Sequence, residues 1–127
     1  MMTSASEVPA LALVDIGAEG VALLTEPQWT DGDRNSRTLF KADTLRIVLT
    51  ALRAGAVMQN ADPDESVGIQ PVQGEIAVRV GSQEIRARSG ELVCVGRGEP
   101  WEVRASADSL FLLTVGRSPQ PAGTRSD

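Results

Sequence analysis

Short stretches in which apolar and polar residues alternate, separated by glycine turns, run from Arg37 to Val115 of this chain. The clearest is Leu45–Leu52, whose alternate residues fall on opposite faces of an extended strand. Gly81-Ser82 is typical of a tight hairpin turn between two such strands. About eight short, evenly spaced strands without helical crossovers indicate a sandwich or barrel. The pattern therefore predicts an all-β protein, an antiparallel jelly-roll β-barrel.

The 127 residues are expected to form one domain with three parts. Residues 1–36 form an N-terminal segment in which Asp15 caps a short helix with an apolar side of Ile16, Val21 and Leu24. Residues 37–116 form the barrel, and Trp29 is expected to close one end of its core. Residues 117–127 lack apolar side chains and are predicted to be a disordered tail.

A frame of four glycines, Gly55, Gly74, Gly90 and Gly98, has the spacing of the two sequence motifs of the cupin family. Three further phrases, R-T-L-F-K, L-R-A-G-A and D-S-L-F-L-L-T, look like small single-domain cupins with no assigned activity. The chain thus resembles this family from about Thr38 to Val115. Cupins are small β-barrels that usually hold a metal in their mouth, and the resemblance places the four ligand positions at Ala61, Pro63, Val67 and Trp101.

The chemistry at these ligand positions does not suit a metal. Cupin metals such as iron, manganese, zinc or nickel favour imidazole nitrogens and a carboxylate, and this chain contains no histidine at all. Alanine, proline, valine and tryptophan have no side-chain group that binds a transition metal. We therefore expect a cupin with the metal-ligand histidines missing, and no cofactor.

The mouth of the barrel is expected to be apolar and to form the binding site. Its predicted residues are the four ligand positions together with Gln59, Ile69, Val103 and Phe111. The large indole of Trp101 has two interpretations. It plugs the barrel, or it forms one wall of an apolar pocket with its N–H directed at a ligand. Alternation alone does not say which strand face lines the mouth, because a shift of one residue exchanges the faces.

Polar residues in the strands raise further hypotheses. Arg46, Arg79 and Arg104 alternate with apolar residues and are expected on the outer face, although an inward arginine would anchor a carboxylate or phosphate. The acidic loop from Gln59 to Glu65 is expected to be solvated, with an oxygen-ligated cation as the alternative. Cys94, the only cysteine, is predicted to be an inert packing residue because no histidine is present to activate it.

Charge and composition restrict the partners. The net charge of −5 disfavours nucleic acid and anionic membrane surfaces, which require clustered basic residues. The N-terminus has no positively charged region, and its apolar stretch is interrupted by Asp15 and Glu19, so neither a signal peptide nor a membrane span is predicted. A cytoplasmic homodimer that binds a small molecule is the expectation.

Three functional hypotheses follow, and enzyme activity stays open among them. The first is a metal-free, non-enzymatic cupin that binds a small molecule or supports an assembly. The second is a metal-independent isomerase or lyase that uses a carboxylate in the barrel mouth. The third is a metalloenzyme such as a dioxygenase, which the missing histidines disfavour.

Overall fold

The computed structural model describes residues 8–60, 62 and 64–118. Two short helices, α1 (Ile16–Leu23) and α2 (Pro27–Thr30), precede nine strands. The strands are β1 (Arg34–Lys41), β2 (Leu45–Leu52), β3 (Val57–Asn60), β4 (Glu65–Gln73), β5 (Glu75–Val80), β6 (Gln83–Arg88), β7 (Val93–Val95), β8 (Trp101–Ala105) and β9 (Ser109–Arg117). No helix within the described ranges is both long and apolar enough to cross a membrane.

The strands form two antiparallel sheets. The first has five strands in the order β1-β2-β9-β4-β7, and the second has four in the order β3-β8-β5-β6. Every strand pairing is antiparallel. The predicted all-β jelly-roll architecture and the short N-terminal helix are both confirmed.

The main core lies between the inner faces of the two sheets. The five-stranded sheet contributes alternate residues of β4 and β9, and the four-stranded sheet contributes alternate residues of β5 and β8. Its buried side chains include Ile69, Phe111, Ile76 and Val103, each with no solvent exposure. Burying such side chains favours folding by about 1.5–3 kcal/mol each, which makes this core the principal source of stability.

A second core covers the outer face of the five-stranded sheet. Leu23 of α1 and Trp29 of α2 pack there on residues of β2 and β9, namely Leu49, Ala51 and Leu110. The Asp15 side chain caps α1 by accepting a hydrogen bond of 3.0 Å from the Ala18 N–H, as predicted. However, Val21 is 68% exposed, because Gly20 and Leu23 form the face of α1 that contacts the sheet. Strand β2 is therefore buried on both faces.

Arg53 attaches the helical segment to the sheets. Its guanidinium lies 3.9 Å above the Trp29 ring and donates to the Trp29 carbonyl at 2.9 Å. It also pairs with Asp108 at 3.1 Å. Cation–π contacts of this kind contribute about 0.5–1 kcal/mol at exposed sites. Trp29 is therefore held by Arg53 on one side and by the second core on the other, and it is buried as predicted. The predicted place is wrong, because Trp29 packs on the outer face of the five-stranded sheet and does not close an end of the main core.

Strand β3 and Pro71 of β4 each show how local sequence relates to the strands. Strand β3 falls where the sequence offered no alternation long enough to predict a strand. Pro71 in β4 predicts a bulge or an edge position. Both are found, because the register with β9 shifts between Pro71 and Gln73 and the pairing of β4 with β7 ends before this point, at Ile69.

The expectation that Cys94 packs inside is wrong. β7 is a three-residue edge strand that turns Val93 and Val95 inward, and the intervening Cys94 is exposed. The predicted disordered tail lies, beyond Ser118, outside the described residues, whereas Arg117 belongs to β9.

Candidate functional site

Five of the residues predicted to line the mouth come together in the interior. Val67, Ile69, Trp101, Val103 and Phe111 all belong to the main core and are at most 6% exposed. Trp101 lies on the inward face of β8, two residues before Val103. These five predicted residues are therefore packed against one another in the apolar core.

The other predicted residues lie elsewhere. Gln59 is exposed on β3, and its side-chain amide donates to Glu102 of β8 at 3.1 Å. Gln59, Glu102 and an edge of Trp101 border an open cavity of about 310 Å³ on the outside of the four-stranded sheet. Ala61 and Pro63 lie outside the described residues. The prediction that these eight residues bind a ligand stays a prediction.

The residues at the motif positions do not fit a metal ion. Val67 and Trp101 offer no ligand atom, and the identities of Ala61 and Pro63 exclude side-chain coordination there. Within the described part of the chain, no group of three or more cysteine, aspartate or glutamate side chains is arranged to hold a metal ion. We therefore derive no chemistry through a metal at these positions.

A different cavity, of about 350 Å³, enters the interior between β1 and β3. These strands are the adjoining edges of the two sheets. We call it the edge cavity. Its residues are Arg34, Asn35, Ser36, Thr38, Arg46, Val48, Thr50, Leu52, Met58 and Leu113. The deep walls are apolar, and the wall formed by β1 is polar.

Among the residues that the structure describes, two buried polar atoms at the edge cavity have no hydrogen-bond partner. They are Nε of Arg46 and Oγ1 of Thr50, both on the inward face of β2. Thr50 is only 4% exposed. Leaving a buried polar group unpaired costs about 1–3 kcal/mol, so such groups in a folded protein usually mark a bound molecule or water. Arg46 and Thr50 therefore distinguish this cavity from the packed interior around Trp101.

An ionic cluster lies beyond Arg46. The buried carboxylate of Glu65 accepts from Asn60 at 3.0 Å and from Arg117 at 2.9 Å. Arg117 also pairs with Asp62 at 2.7 Å. The hydrogen bond to Glu65, reinforced by the charge of Asp62, raises the pKa of Arg117 above its usual value. This cluster keeps Glu65 engaged through both of its oxygens.

Arg46 is only loosely attached to that cluster. Its nearest acidic atom among the described residues is Oε2 of Glu65, at 3.8 Å, which is too long for a hydrogen bond. Lys41 lies opposite Arg46 across the β1–β2 pair, and both border a second cavity of about 200 Å³. Like charges facing each other on neighbouring strands are unfavourable. The carboxylates of Asp43 and Glu65 border the same cavity and offset these charges.

The expectation for Arg46 needs correction, whereas Arg79 and Arg104 are exposed as predicted. The alternation correctly grouped Arg46 with Val48 and Thr50 on one face of β2. That face points inward, since α1 covers the opposite face. A sequence signal that β2 is buried on both sides could have identified these two residues, because Thr50 is the one polar residue within the otherwise apolar run of residues 47–52.

The architecture is similar to that of several solved structures. The Cnp3 cupin domain of Schizosaccharomyces pombe has a TM-score of 0.61 and 18% identity, over 67% of this chain and 61% of that one. The conserved protein SPY1581 of unknown function from Streptococcus pyogenes has a TM-score of 0.64 and 19% identity, over 93% and 96% of the two chains. A mutant of salicylate 1,2-dioxygenase from Pseudoaminobacter salicylatoxidans has a TM-score of 0.65 and 18% identity, over 79% of this chain and 33% of that one.

These similarities establish the cupin fold, and the resemblance found in the glycine frame is confirmed at that level. No protein-family model matches the sequence, and no curated protein matches it. At these identities the likeness concerns the fold alone, and one fold supports many unrelated functions. The function must therefore be argued from the site.

Proposed function

We propose that this cupin-fold protein binds a small molecule in the edge cavity without a metal and without catalysing a reaction. The observation that carries the proposal is the cavity itself, which combines apolar walls with the unpartnered buried atoms of Arg46 and Thr50. Sites for small molecules are concave and mostly apolar, with few polar groups that fix orientation, and have volumes of roughly 300–1,000 Å³. The edge cavity has this chemistry and lies near the small end of that range.

The packed interior around Trp101 supports the same proposal. Val67 offers no side-chain ligand atom, and Ile69 and Phe111 pack beside it as fully or almost fully buried apolar side chains. The edge cavity between β1 and β3 suits a ligand better, because it combines the apolar side chains of Met58 and Leu113 with polar residues of β1. In this proposal the ligand binds in the edge cavity between β1 and β3, and not at the cupin motif positions Val67 and Trp101.

Met58 offers a direct test, because the other two methionines are Met1 and Met2. Protein labelled with ¹³C at the methionine methyl groups is titrated with a panel of neutral and charged metabolites, and thermal unfolding is followed in parallel. We expect one class of compound to shift the Met58 methyl signal saturably and to raise the melting temperature, because ligands that bind only the native state stabilise it.

A matched pair of variants locates the binding. Val48→Phe fills the edge cavity, whereas Val80→Phe enlarges a side chain at a separate cavity between β6 and β7. Binding is expected to be lost in the first variant and kept in the second. If no compound in a broad panel moves the Met58 signal of the unmodified protein, the proposal is wrong.

A second candidate, a metal-independent isomerase or lyase, is favoured by one observation. Glu65 is the only buried carboxylate among the described residues, and its partner Asn60 lies opposite Trp101 across the β3–β8 pair. It could act as a general base toward a ligand in the neighbouring 200 Å³ cavity. Glu65 is already hydrogen-bonded to Asn60 and Arg117, so the enzyme hypothesis is weaker than the proposal of binding without catalysis. An activity abolished by Glu65→Gln but kept by Glu84→Gln would establish it.

A further inference from the structure

We infer that the ligand of the edge cavity is a small carboxylic acid with a hydrogen-bonding group, such as a hydroxyl, at its far end. This inference rests on the proposed function and specifies its ligand. It follows from the order of residues along the inward face of β2, which is Arg46, Val48, Thr50 and Leu52. Two polar groups alternate there with two apolar ones.

Arg46 selects the acid group. Its guanidinium always carries a positive charge, and its buried Nε has no hydrogen-bond partner among the described residues, although 43% of the side chain is exposed. Its nearest described carboxylate oxygen is 3.8 Å away. Glu65 does not neutralise it fully, because Glu65 is already bonded to Arg117 at 2.9 Å and to Asn60 at 3.0 Å. A guanidinium binds a carboxylate with two parallel hydrogen bonds, a geometry that few other ligand groups match.

A single carboxylate has the appropriate charge for this site. Arg34 also borders the cavity, but its guanidinium is engaged by both oxygens of Asp33, at 2.9 and 3.1 Å. The hydrogen bond to Asp33 raises the pKa of Arg34, in keeping with this pairing. Arg46 is thus the arginine of this cavity that the described residues leave unsatisfied. One available guanidinium suits one negative charge better than the two of a phosphate.

Thr50 selects the far end of the molecule. It lies four residues beyond Arg46, so their Cα atoms are about 13 Å apart. The Arg46 guanidinium lies beside Glu65, which the strand register places on the side of Arg46 away from Thr50, so a ligand that contacts both groups must span most of this distance. The two groups therefore cannot share one carboxylate. The buried Thr50 hydroxyl donates and accepts one hydrogen bond with equal ease, which suits a hydroxyl or carbonyl on the ligand.

The body of the molecule must be apolar. Val48 lies between Arg46 and Thr50 on the strand, and Leu52, Met58 and Leu113 complete the deep wall. A hydrocarbon segment that separates the two polar ends would contact Val48 and Leu113, which lie opposite each other on β2 and β9, whereas Leu52 lies beyond Thr50. The cavity volume of about 350 Å³ restricts the ligand to a small metabolite.

Hexanoate, hexanamide and 6-hydroxyhexanoate are suitable probes, because they differ only in the two end groups. Affinities are measured from the Met58 methyl shift. We expect hexanoate to bind roughly tenfold or more tightly than hexanamide, the usual advantage of a hydrogen bond to a charged group. The distal hydroxyl is expected to improve affinity by roughly two- to tenfold, as for a neutral hydrogen bond.

Variants assign each preference to its residue. Arg46→Gln is expected to abolish the preference for the acid, whereas Arg104→Gln, a control on the exposed face of β8, retains it. Thr50→Val is expected to abolish the advantage of the hydroxyl without changing the preference for the acid. The neutral probe should still bind to Arg46→Gln, which shows that the variant is folded.

The outcomes separate this inference from the proposed function. If hexanamide binds as tightly as hexanoate, or if Arg46→Gln keeps the preference, the inference is overturned while small-molecule binding stands. If the acids shift signals of Lys41 and Arg117 but not that of Met58, the acid site is the 200 Å³ cavity instead, and the inference is again overturned. If neither these probes nor the wider panel reach Met58, the proposed function itself fails.

Discussion

At the scale of single residues, two buried hydroxyl groups have opposite surroundings. Ser109 Oγ accepts from the Glu75 N–H at 3.0 Å, and its single proton is shared between the carbonyl oxygens of Ala107 at 2.7 Å and Glu75 at 3.1 Å. Thr50 Oγ1 has no partner among the described residues. The Ser109 hydroxyl stabilises the turn before β9. The unpaired Thr50 hydroxyl lowers the stability of the ligand-free protein. Their contributions to stability should therefore have opposite signs.

We expect Thr50→Val to leave the free energy of unfolding unchanged or to raise it by about 1 kcal/mol, because the variant removes an unpaired buried hydroxyl at constant shape. Ser109→Ala, the control, should lower it by about 1–3 kcal/mol, because it removes the hydroxyl to which the Glu75 N–H donates. Urea unfolding followed by tryptophan fluorescence measures both. A loss of more than about 1 kcal/mol for Thr50→Val would contradict the assignment.

The glycines of the motif frame have a physical role. Gly55, Gly74, Gly90 and Gly98 all adopt positive φ angles between 85° and 94°, a region that other residues avoid. At Gly74 a Cβ would also lie 2.6 Å from the Asp108 carbonyl oxygen, whereas at Gly55 nothing lies within 4 Å. The spacing of these glycines therefore marks the positions at which the backbone needs a positive φ angle.

Alanine substitutions should separate the two requirements. Gly55→Ala is expected to lower the free energy of unfolding by about 1–2 kcal/mol, because alanine disfavours the left-handed conformation. Gly74→Ala should lower the free energy of unfolding by about 1–3 kcal/mol more than Gly55→Ala does, because the new methyl group also forces the neighbouring backbone to move. Equal losses in thermal or urea unfolding would show that the contacts at Gly74 relax without cost.

At the scale of elements, α1 has a large effect on the sheet beneath it. Its Leu23 is fully buried against β2 and β9, while Val21, two residues earlier, is exposed. We expect Leu23→Ala to lower the free energy of unfolding by about 2–5 kcal/mol. Val21→Ala should change it by no more than about 0.5 kcal/mol. Similar losses for both variants would indicate that the helix contacts the sheet through a different face.

Polar contacts also attach the helical segment to β1. Glu26 accepts from Asn35 at 2.8 Å and pairs with Arg37, which also bonds to Glu19 of α1 at 2.9 Å. The hydrogen bond from Asn35, with the charge of Arg37, lowers the pKa of Glu26 below its ordinary value of 4.5. A carboxyl whose pKa is lowered by folding adds stability above that ordinary value, and loses it as the pH falls through the lowered pKa.

Glu26→Gln should therefore be less stable than the unmodified protein at pH 7, and the difference should shrink as the pH falls below about 4.5. Melting temperatures measured in steps from pH 7 to pH 3 test this. Asp31→Asn serves as a control at an exposed position of the same segment. A difference that grows on acidification would have the wrong sign and would exclude this role for Glu26.

At the scale of the whole molecule, four strands end the two sheets. β1 and β7 are the edges of one sheet, and β3 and β6 are the edges of the other. Exposed edges invite pairing with a second chain, and proteins generally cover or interrupt them. Several apolar side chains near these edges, including Leu92 at 59% and Ile85 at 47%, are exposed in the single chain.

We therefore keep the homodimer as a prediction. Light scattering at micromolar concentration should give a mass of twice 13.4 kDa. A symmetric pair would cover the same edge in both subunits, because a two-fold interface uses one surface twice. A mass of one chain under these conditions would contradict the prediction and would leave the edges to be protected by their short length.

Some features of the protein follow from the sequence alone. The period-two alternation predicts antiparallel strands, and the glycine spacing predicts the turns, because both depend on local backbone geometry. The lack of histidine excludes an imidazole metal site in any fold. The Asp15 cap of α1 is equally local, since it depends on a residue only three positions away.

Only the tertiary structure decided which side of each strand faces the interior. Alternation assigns Arg46 and Thr50 to one face of β2 but treats both faces alike. Packing of Leu23 and Trp29 on Leu49 closes the outer side, and so directs Arg46 and Thr50 into the edge cavity. That choice depends on contacts between residues far apart in the chain, which local patterns do not encode.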